Sequence, residues 1–332
     1  MTVQVTIIGL GQIGSSIGLA LAKHSELVTR VGHDKDIGQA NRAKQMGALD
    51  RVDINIPHSV EEAGLVILAL PLDQVRETLT AMAQELKEDV VVMDMSPVKQ
   101  VTLEWAKELL PPKRHFIGMT PALNPDHLPS LEGGIGAAHA DLFQNGLFAI
   151  VSPPGVPSEA IKLAADFSRL LGAEHLFVDP MEVDSLMAST HLLPQLVATT
   201  LVNLTVDQPG WLEARKLAGR AYVAAASQAA ELDEPAALAA AAANNRENVT
   251  RVLDNLIFAL QQLRSQVHAQ DEVALRQQAE RARDGYLRWW KQRSSANWMV
   301  AANAPAVELP TAKDVFGRMF GLRKRKSDQN PS

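Results

Sequence analysis

A glycine-rich segment near the start of the chain has the spacing of a phosphate-binding turn. It reads Gly9-Leu10-Gly11-Gln12-Ile13-Gly14, and it lies between the apolar run Val3–Ile8 and a stretch of helical periodicity. In a strand–turn–helix unit, the first glycine permits the tight turn and the second lets backbone N–H groups approach a pyrophosphate. The third lets the helix and the strand pack closely. The segment is therefore interpreted as the pyrophosphate-binding loop of a dinucleotide site.

An acidic residue, Asp34, indicates which dinucleotide is bound. It lies at the end of the next predicted strand, 34 − 14 = 20 positions after Gly14. A carboxylate there accepts hydrogen bonds from the ribose diol of NAD, and its charge repels a 2′-phosphate. Its neighbours His33, Lys35 and Asp36 include no arginine. The sequence therefore favours NAD as cofactor over NADP.

Residues 1–180 have the pattern of an α/β domain. Short β-branched runs alternate with amphipathic stretches, which is typical of parallel strands joined by crossover helices. The predicted strands are Val3–Ile8, Leu27–Gly32, Leu65–Leu70, Val90–Asp94, His115–Met119, Leu147–Ser152 and His175–Val178, and the predicted helices include Asp73–Leu86, Lys99–Leu110 and Ser158–Leu171. We expect a doubly wound, Rossmann-type parallel sheet that binds its ligand beyond the carboxyl ends of the strands. That edge is formed by the loops Ala69-Leu70-Pro71, Asp94–Lys99 and Gly118–Asn124.

The strand pattern ends near residue 180, and residues 181–293 are predicted to form an all-α domain. Breaks are expected near Gln208–Gly210 and Asp233–Pro235. The segment Ala236–Gln266 carries an apolar stripe that fits either a core or a dimer interface: Val249, Val252, Leu253, Leu256, Leu260 and Leu263. Residues 294–332 are expected to form a linker and a solvated tail, with a short amphipathic turn at Phe316, Met319 and Phe320 and a basic end at Arg323–Lys326.

Composition excludes several classes of protein. The 332 residues carry 32 Lys+Arg against 38 Asp+Glu, a net charge of −6, so nucleic acid is not an expected partner. The absence of cysteine excludes disulfides and thiolate chemistry and fits a cytoplasmic location. The nine histidines show neither H-x-H nor H-E-x-x-H spacing, so no metal site is expected. The longest apolar run, Leu65–Leu72, is too short for the ~18 residues of a membrane span.

Four further segments carry a family resemblance. Asp94-Met95-Ser96-Pro97-Val98-Lys99 is similar to the D-x-x-S-V-K stretch of the prephenate/arogenate dehydrogenase family. His115–Pro121 is similar to the family's segment ending G-x-H-P, and Asp184–Gln195 to its D-x-x-x-A-x-x-S-H-L-P-H motif. Ala218–Tyr222 resembles the glycine-rich G-F-R-D-F-T-R run. The resemblance covers about residues 3–265. The order of the motifs matches that of the family, in which an N-terminal dinucleotide fold is followed by a helical dimerisation domain.

The resemblance implies an oxidation of a ring hydroxyl by NAD(P)⁺, coupled to decarboxylation, with a histidine that accepts the hydroxyl proton. This chain departs from the family at five polar positions, which hold Pro97, Thr120, His191, Gln195 and Ala224. Thr120 stands where the catalytic histidine is expected. General-base catalysis contributes about 10²–10⁴-fold, so another group must substitute for that histidine. His191 is the predicted substitute, and Gln195 shares its helix face because the two lie four residues apart.

Each candidate site residue has an expected role. Ala69, Leu70, Pro71 and Ser96 border the nicotinamide ribose, and Ser96 is counted among the catalytic candidates with His191 and Thr120. Lys99 or Arg220 is expected to bind a substrate carboxylate, while Thr120 and Gln195 orient the substrate by hydrogen bonds. The substrate is thus a small carboxylic acid, and the chain is expected to form a homodimer through its helical domain.

Three functional hypotheses remain open at this stage. The first is an NAD-dependent prephenate/arogenate dehydrogenase of tyrosine biosynthesis. The second keeps the fold and the hydride transfer but changes the substrate to another small hydroxy or carboxylic acid. The third is a non-catalytic NAD-binding dimer.

Overall fold

The computed structural model of the protein describes residues 2–130, 132–230, 235–296 and 311–319. Within these residues an eight-stranded sheet forms the N-terminal region, with the strand order β3-β2-β1-β4-β5-β6-β7-β8. The strands are β1 (Val3–Ile8), β2 (Val28–His33), β3 (Arg51–Val52), β4 (Ala63–Leu68), β5 (Val91–Asp94), β6 (His115–Ala122), β7 (Leu147–Val151) and β8 (Glu174–Phe177). Helices cover the sheet: α1 (Gln12–Leu21), α2 (Ile37–Gln45), α3 (Ile56–Val60), α4 (Leu72–Met82), α5 (Gln100–Leu109) and α6 (Ser158–Leu170).

The central strands are rich in apolar residues because helices bury both faces of the sheet. In β4, residues 65–68 are fully buried. The Rossmann-type fold is thereby confirmed, and each of the seven predicted strands is present, β1 with the predicted bounds and the other six with one or both ends shifted. The sequence reading missed β3, which has only two residues, neither of them buried.

One part of the predicted topology is wrong. β6 and β7 are antiparallel, with Gly118 opposite Val151 and Ala122 opposite Leu147, so the sheet is mixed rather than wholly parallel. In the described part of the connection over residues 123–146 there are two short 3₁₀ turns and no crossover helix, and the chain returns along the edge of β6 in the opposite direction.

The C-terminal region is helical, and no strand follows β8 in the described residues. Its helices are α7 (Pro180–Met187), α8 (Leu193–Thr205), α9 (Trp211–Leu217), α10 (Arg220–Ala230), α11 (Pro235–Asn244), α12 (Arg246–His268), α13 (Glu272–Ser294) and α14 (Ala312–Met319). The predicted break at residues 208–210 is present and ends at Gly210, which has φ +89° before α9. Of the second predicted break, residues 233 and 234 lie outside the described residues and Pro235 begins α11. No described helix combines the length and the apolar character that a membrane crossing requires.

The apolar stripe of residues 249–263 divides between two environments. Val249 and Val252 are buried and belong to a cluster with Leu72 and Val98 of the N-terminal region, so this end of α12 joins the two regions. Leu260 is 52% exposed on the same helix. The stripe therefore contributes both to the core of one chain and to an uncovered apolar surface.

The tail prediction needs one correction. Residues 312–319 form α14, which packs against α6 with Val315 fully buried, so this part is not a solvated tail. The side chains of Phe316 and Met319, residue Phe320 and the basic end Arg323–Lys326 lie outside the described residues.

Candidate active site

A cleft of about 770 Å³ opens where the carboxyl edge of the sheet faces the helical region. It brings together the predicted loop at residues 9–13, Asp34, residues 69–71, Ser96, His191 and Gln195. Its lining also includes polar and backbone groups that no sequence motif marked, namely Lys35, Gln39, Gln74, residues 132–134 and Gln228. The predicted dinucleotide loop and the predicted proton acceptor therefore face the same space.

The glycine loop has the shape of a phosphate cradle. Gly9 has φ +89°, a conformation that L side chains rarely adopt. A Cβ on Gly14 would lie 1.9 Å from the carbonyl oxygen of Gly9, whereas a Cβ on Gly11 would meet no atom within 4 Å. Gly11 is the N-cap of α1 and provides no side-chain cap, so the first N–H groups of the helix remain available to an anion. The loop thus fits a pyrophosphate over Gly11.

Asp34 is fixed at the end of β2 by three hydrogen bonds. Its Oδ2 accepts from Leu10 N at 2.7 Å and from Gln39 Nε2 at 3.0 Å, and its Oδ1 accepts from Asp36 N at 2.9 Å. Each carboxylate oxygen can accept more than one hydrogen bond, so the side chain retains capacity for a ribose diol. The contact with Leu10 N also joins Asp34 directly to the glycine loop.

The Asp94–Lys99 motif forms a buried polar cluster behind the cleft. Lys99 is fully buried, and its Nζ donates to the Asp94 Oδ2 at 2.9 Å and to the Asp94 carbonyl at 2.8 Å. The same carboxylate accepts from Ser96 Oγ at 2.8 Å and from Thr102 Oγ1 at 3.0 Å. Burial lowers the pKa of Lys99, while the charge of Asp94 opposes that shift. The ammonium and the Ser96 hydroxyl are therefore held inside the protein, which supports a positioning role rather than contact with a substrate carboxylate.

Asp184 joins the helical region to this cluster. Its two carboxylate oxygens accept from Lys99 N at 2.6 Å and from Gln100 N at 3.1 Å, so it caps α5 from another part of the chain. Burial raises the pKa of Asp184, and these backbone hydrogen bonds oppose the shift. Asn245 Nδ2 donates to the Asp184 carbonyl at 2.7 Å. This network joins α7 to the start of α5, and α7 leads directly into the turn that carries His191.

His191 lies on a π-helical turn, Ala188–Leu192, that joins α7 to α8. Such turns add one residue to a helix and are frequent at functional sites. Gln195 Nε2 lies 3.3 Å from His191 Nε2, an arrangement in which the amide donates to an unprotonated ring nitrogen. Atoms packed around the ring desolvate the imidazole and lower the pKa of His191, although the residue as a whole is exposed. A neutral imidazole that lines the same cleft as the glycine loop can accept a proton.

Four of the predicted site residues do not line the cleft, namely Gly14, Lys99, Thr120 and Arg220. Thr120 lies on β6 and is 8% exposed, and its Oγ1 is buried without a hydrogen-bond partner among the described residues. Arg220 is exposed at the start of α10, whereas Gln228, about two turns further along that helix, does line the cleft. The sequence motif thus identified the helix but not the side chain that faces the cleft in this chain.

Comparisons with known proteins agree with this arrangement. The family profile described as prephenate dehydrogenase, nucleotide-binding domain, matches residues 17–176, and that of the dimerization domain matches residues 179–280. The cyclohexadienyl dehydrogenase of Zymomonas mobilis is 30% identical over 272 residues, which cover 80% of this chain and 89% of that protein. The prephenate dehydrogenase of Bacillus subtilis is 27% identical over 60% of this chain, and the match spans about half (53%) of that relative's length.

The fold is also found among solved structures. Prephenate dehydrogenase from Aquifex aeolicus, solved in complex with hydroxyphenyl propionate and NAD⁺, superposes with a TM-score of 0.75 at 19% identity and covers 87% of this chain and 98% of that one. The two family profiles together match most of the chain, in the order in which the sheet and the helical region occur. This chain therefore belongs to the prephenate dehydrogenase family.

Proposed function

We propose that this protein is an NAD⁺-dependent dehydrogenase that oxidises the ring hydroxyl of a cyclohexadienyl acid, prephenate or arogenate. The observation that carries the proposal is the placement of His191 in one cleft with the glycine loop and Asp34. Membership of a dehydrogenase family and the similarity to a cyclohexadienyl dehydrogenase support the same substrate class.

The residues of the cleft fit NAD⁺. The N-terminus of α1 would hold the pyrophosphate, Asp34 the adenosine ribose, and residues 69–71 would border the nicotinamide ribose. The nicotinamide supplies an acceptor for the hydride that leaves the hydroxyl-bearing carbon of the substrate. A 2′-phosphate would meet the carboxylate of Asp34, which supports NAD⁺ as the preferred cofactor.

His191 would accept the hydroxyl proton as the C–H bond breaks and a ring carbonyl forms. Loss of the ring carboxylate as CO₂ then leaves the C–C electron pair in the ring, which becomes aromatic, and the phenolic oxygen takes the proton back from His191. Gln195 would orient the imidazole before substrate binds, and the substrate hydroxyl would then replace the amide as the donor to His191 Nε2. The lowered pKa of His191 favours the neutral imidazole, which is the form that accepts a proton.

The remaining predicted residues have supporting roles in this proposal. Lys99 and Ser96 hold the β5–α5 loop through Asp94. Arg220 is exposed at the start of α10 and does not line the cleft, so its predicted contact with a substrate carboxylate has no support in this geometry. Thr120 would contribute only a hydroxyl, since it has no titration near neutral pH.

The test is NADH formation at 340 nm, with NAD⁺ and NADP⁺ supplied separately and prephenate or arogenate as substrate. We expect turnover with NAD⁺ and one of the two acids, and a fall in kcat of about 10²–10⁴-fold in His191→Asn with little change in KM. Thr190→Ala is the matched control, because that exposed hydroxyl on the same π turn bonds only to the Leu186 carbonyl. An unchanged kcat in His191→Asn would remove the base from the proposal.

The departures at Pro97, Thr120, Gln195 and Ala224 favour one alternative, a dehydrogenase of the same fold that acts on another small acid. The same assay with a panel of 2- and 3-hydroxy acids separates the two, because turnover only in that panel would reassign the substrate. NAD⁺ binding without turnover on any acid would instead indicate a non-catalytic NAD-binding protein.

A homodimer through the helical region completes the proposal. The dimerization-domain profile covers residues 179–280, and α12 exposes Ile257, Phe258 and Leu260 by 51–61% of their surfaces. Large exposed apolar patches of this kind mark protein interfaces. We expect light scattering to give twice the mass of the chain, and Phe258→Asp to shift the protein towards monomer. The cytoplasmic location stays a prediction from the sequence.

A further inference from the structure

The loop between β6 and β7 brings together three side chains with metal-ligand chemistry, His127, His139 and Asp141. Their ligand atoms all lie within 4.8 Å of one another. His127 Nε2 lies 2.9 Å from Asp141 Oδ1, and the two imidazole rings stack with centroids 4.3 Å apart and planes 10° from parallel. Two imidazoles and one carboxylate therefore lie next to one another on one part of the surface.

Hydrogen bonds to the backbone hold both ends of this loop. Asn124 Nδ2 donates to the Asp141 carbonyl at 3.1 Å, and Asn124 N donates to the Leu142 carbonyl at 2.7 Å. His139 N donates to Ser16 Oγ on α1 at 3.0 Å. The ligand-bearing segments are thus anchored to each other and to the sheet domain. This anchoring lowers the entropic cost of ordering the ligands when an ion binds. The side chains stay accessible, since the Asp141 side chain is 50% exposed and that of His127 is 19% exposed.

From this cluster we infer a site for a divalent transition metal, with Zn²⁺ as the best fit. Imidazole nitrogen and carboxylate oxygen are Zn²⁺ ligands at about 2.0–2.2 Å, and tetrahedral geometry then places the donors about 3.3 Å apart. The 2.9 Å His127–Asp141 contact and the 4.8 Å limit for the trio bracket that separation. Because an imidazole binds a metal in the plane of its ring, one of the two rings would turn out of the stack to complete the set. Three protein ligands leave one position for water.

The sequence did not predict this site because the three ligands do not form a recognised metal-binding motif. The spacing His139-x-Asp141 by itself is common, and His127 lies twelve residues earlier in the sequence. The 3₁₀ turn Pro125–His127 folds the first histidine back onto the second. The expectation that the chain has no metal site rested on the spacing of histidines in the sequence. That spacing does not show that this turn places His127 beside His139.

The site is structural rather than catalytic. None of its three ligands lines the cleft, whereas residues 132–134 of the same loop do. A metal bound by residues 127, 139 and 141 would close the two ends of the loop and hold the intervening residues against the cleft. It would take no part in hydride or proton transfer.

The test is a titration of the tag-free, chelator-treated protein with Zn²⁺ by calorimetry and with Co²⁺ by visible absorption. We expect one ion per chain and a tetrahedral Co²⁺ spectrum. His139→Ala should weaken Zn²⁺ binding by at least about 10-fold, as should Asp141→Asn. His58→Gln is the matched control, because His58 also contacts a carboxylate, Asp53 at 2.6 Å, but belongs to no trio of ligands in the described residues.

Melting temperatures without metal show whether each variant is folded. The ligand side chains are on the surface, so we expect these temperatures to match that of the unmodified protein. Equal Zn²⁺ affinity in His139→Ala and His58→Gln, or the absence of a saturable site, would overturn the proposal. Either result would leave the trio as a hydrogen-bonded loop contact and would not affect the dehydrogenase assay.

Discussion

Replacing Lys99 with Met removes the cation from a fully buried ion pair while keeping most of the side-chain volume. Lys99 and Asp94 are both inaccessible to solvent, with 2.9 Å between Nζ and Oδ2. Removing one partner of such a pair costs about 3–5 kcal/mol, because the other charge stays buried without compensation. Ser96 N, Ser96 Oγ and Thr102 Oγ1 still donate to Asp94 in the variant, so we expect the lower end, about 3 kcal/mol.

The loss should be visible in thermal unfolding. At about 2–4 °C per kcal/mol for a domain of this size, Lys99→Met should melt roughly 6–12 °C below the unmodified protein. Lys107→Met is the matched control on the same helix, since Lys107 is exposed and surface substitutions change stability by about 0.5 kcal/mol or less. Asp94→Asn combined with Lys99→Met should recover part of the loss, because neither charge then remains unpaired.

Kinetics of the same variant separate the two roles considered for Lys99. If Lys99 is a positioning residue, its replacement lowers the melting temperature, and any change in kcat or KM results from displacement of the β5–α5 loop. If Lys99 instead binds the substrate carboxylate, its replacement would raise KM strongly and leave the melting temperature unchanged. A Lys99→Met protein that melts within 2 °C of the parent, with a KM raised by about 100-fold or more, would refute the reasoning from burial.

Three other perturbations test the site. The neutral form of His191 is the base, and burial lowers its pKa, so kcat/KM should stay level through neutral pH and fall only in acid; His191→Asn should lose that acid limb, and a limb that persists would assign it to another group. Gly11→Ala should weaken NAD⁺ binding in calorimetry without changing the melting temperature, because its Cβ enters open space, whereas Gly14→Ala should lower the melting temperature, because its Cβ would lie 1.9 Å from a carbonyl oxygen; the reverse pattern would contradict the cradle geometry. Thr120→Val removes a buried hydroxyl without a described partner, so stability should rise by about 1 kcal/mol at unchanged kcat/KM, and a large fall in kcat/KM would show that this hydroxyl touches the substrate.

Much of the fold was predictable because its signals are local. The apolar runs of the central strands and the spacing of Gly9, Gly11 and Gly14 each depend on a few neighbouring residues. The antiparallel pairing of β7 was not predictable in this way. It depends on how residues 123–146 cross the sheet edge, and a β-branched run has the same pattern in either direction.

The site was only partly predictable because side-chain contacts depend on tertiary structure. The family resemblance marked Asp184 as a motif residue but did not show that it caps α5, since its partner N–H groups lie 84 and 85 residues away. Gln228 and residues 132–134 carry no motif, yet they line the cleft. They enter the site through the packing of α10 and of the β6–β7 loop.

The contrast between Lys99 and His191 shows which polar residues of a motif are available for chemistry. A buried ammonium requires a counter-charge, and Lys99 has one in Asp94, five residues earlier across a strand-to-helix turn. Both charges are then satisfied inside the protein, so neither is free to act on a ligand. Burial alone accounts for the lowered pKa of His191, and its one described side-chain hydrogen bond is to a neutral amide. An imidazole held neutral, and without a carboxylate to retain its proton, can both accept a proton from a substrate and return it.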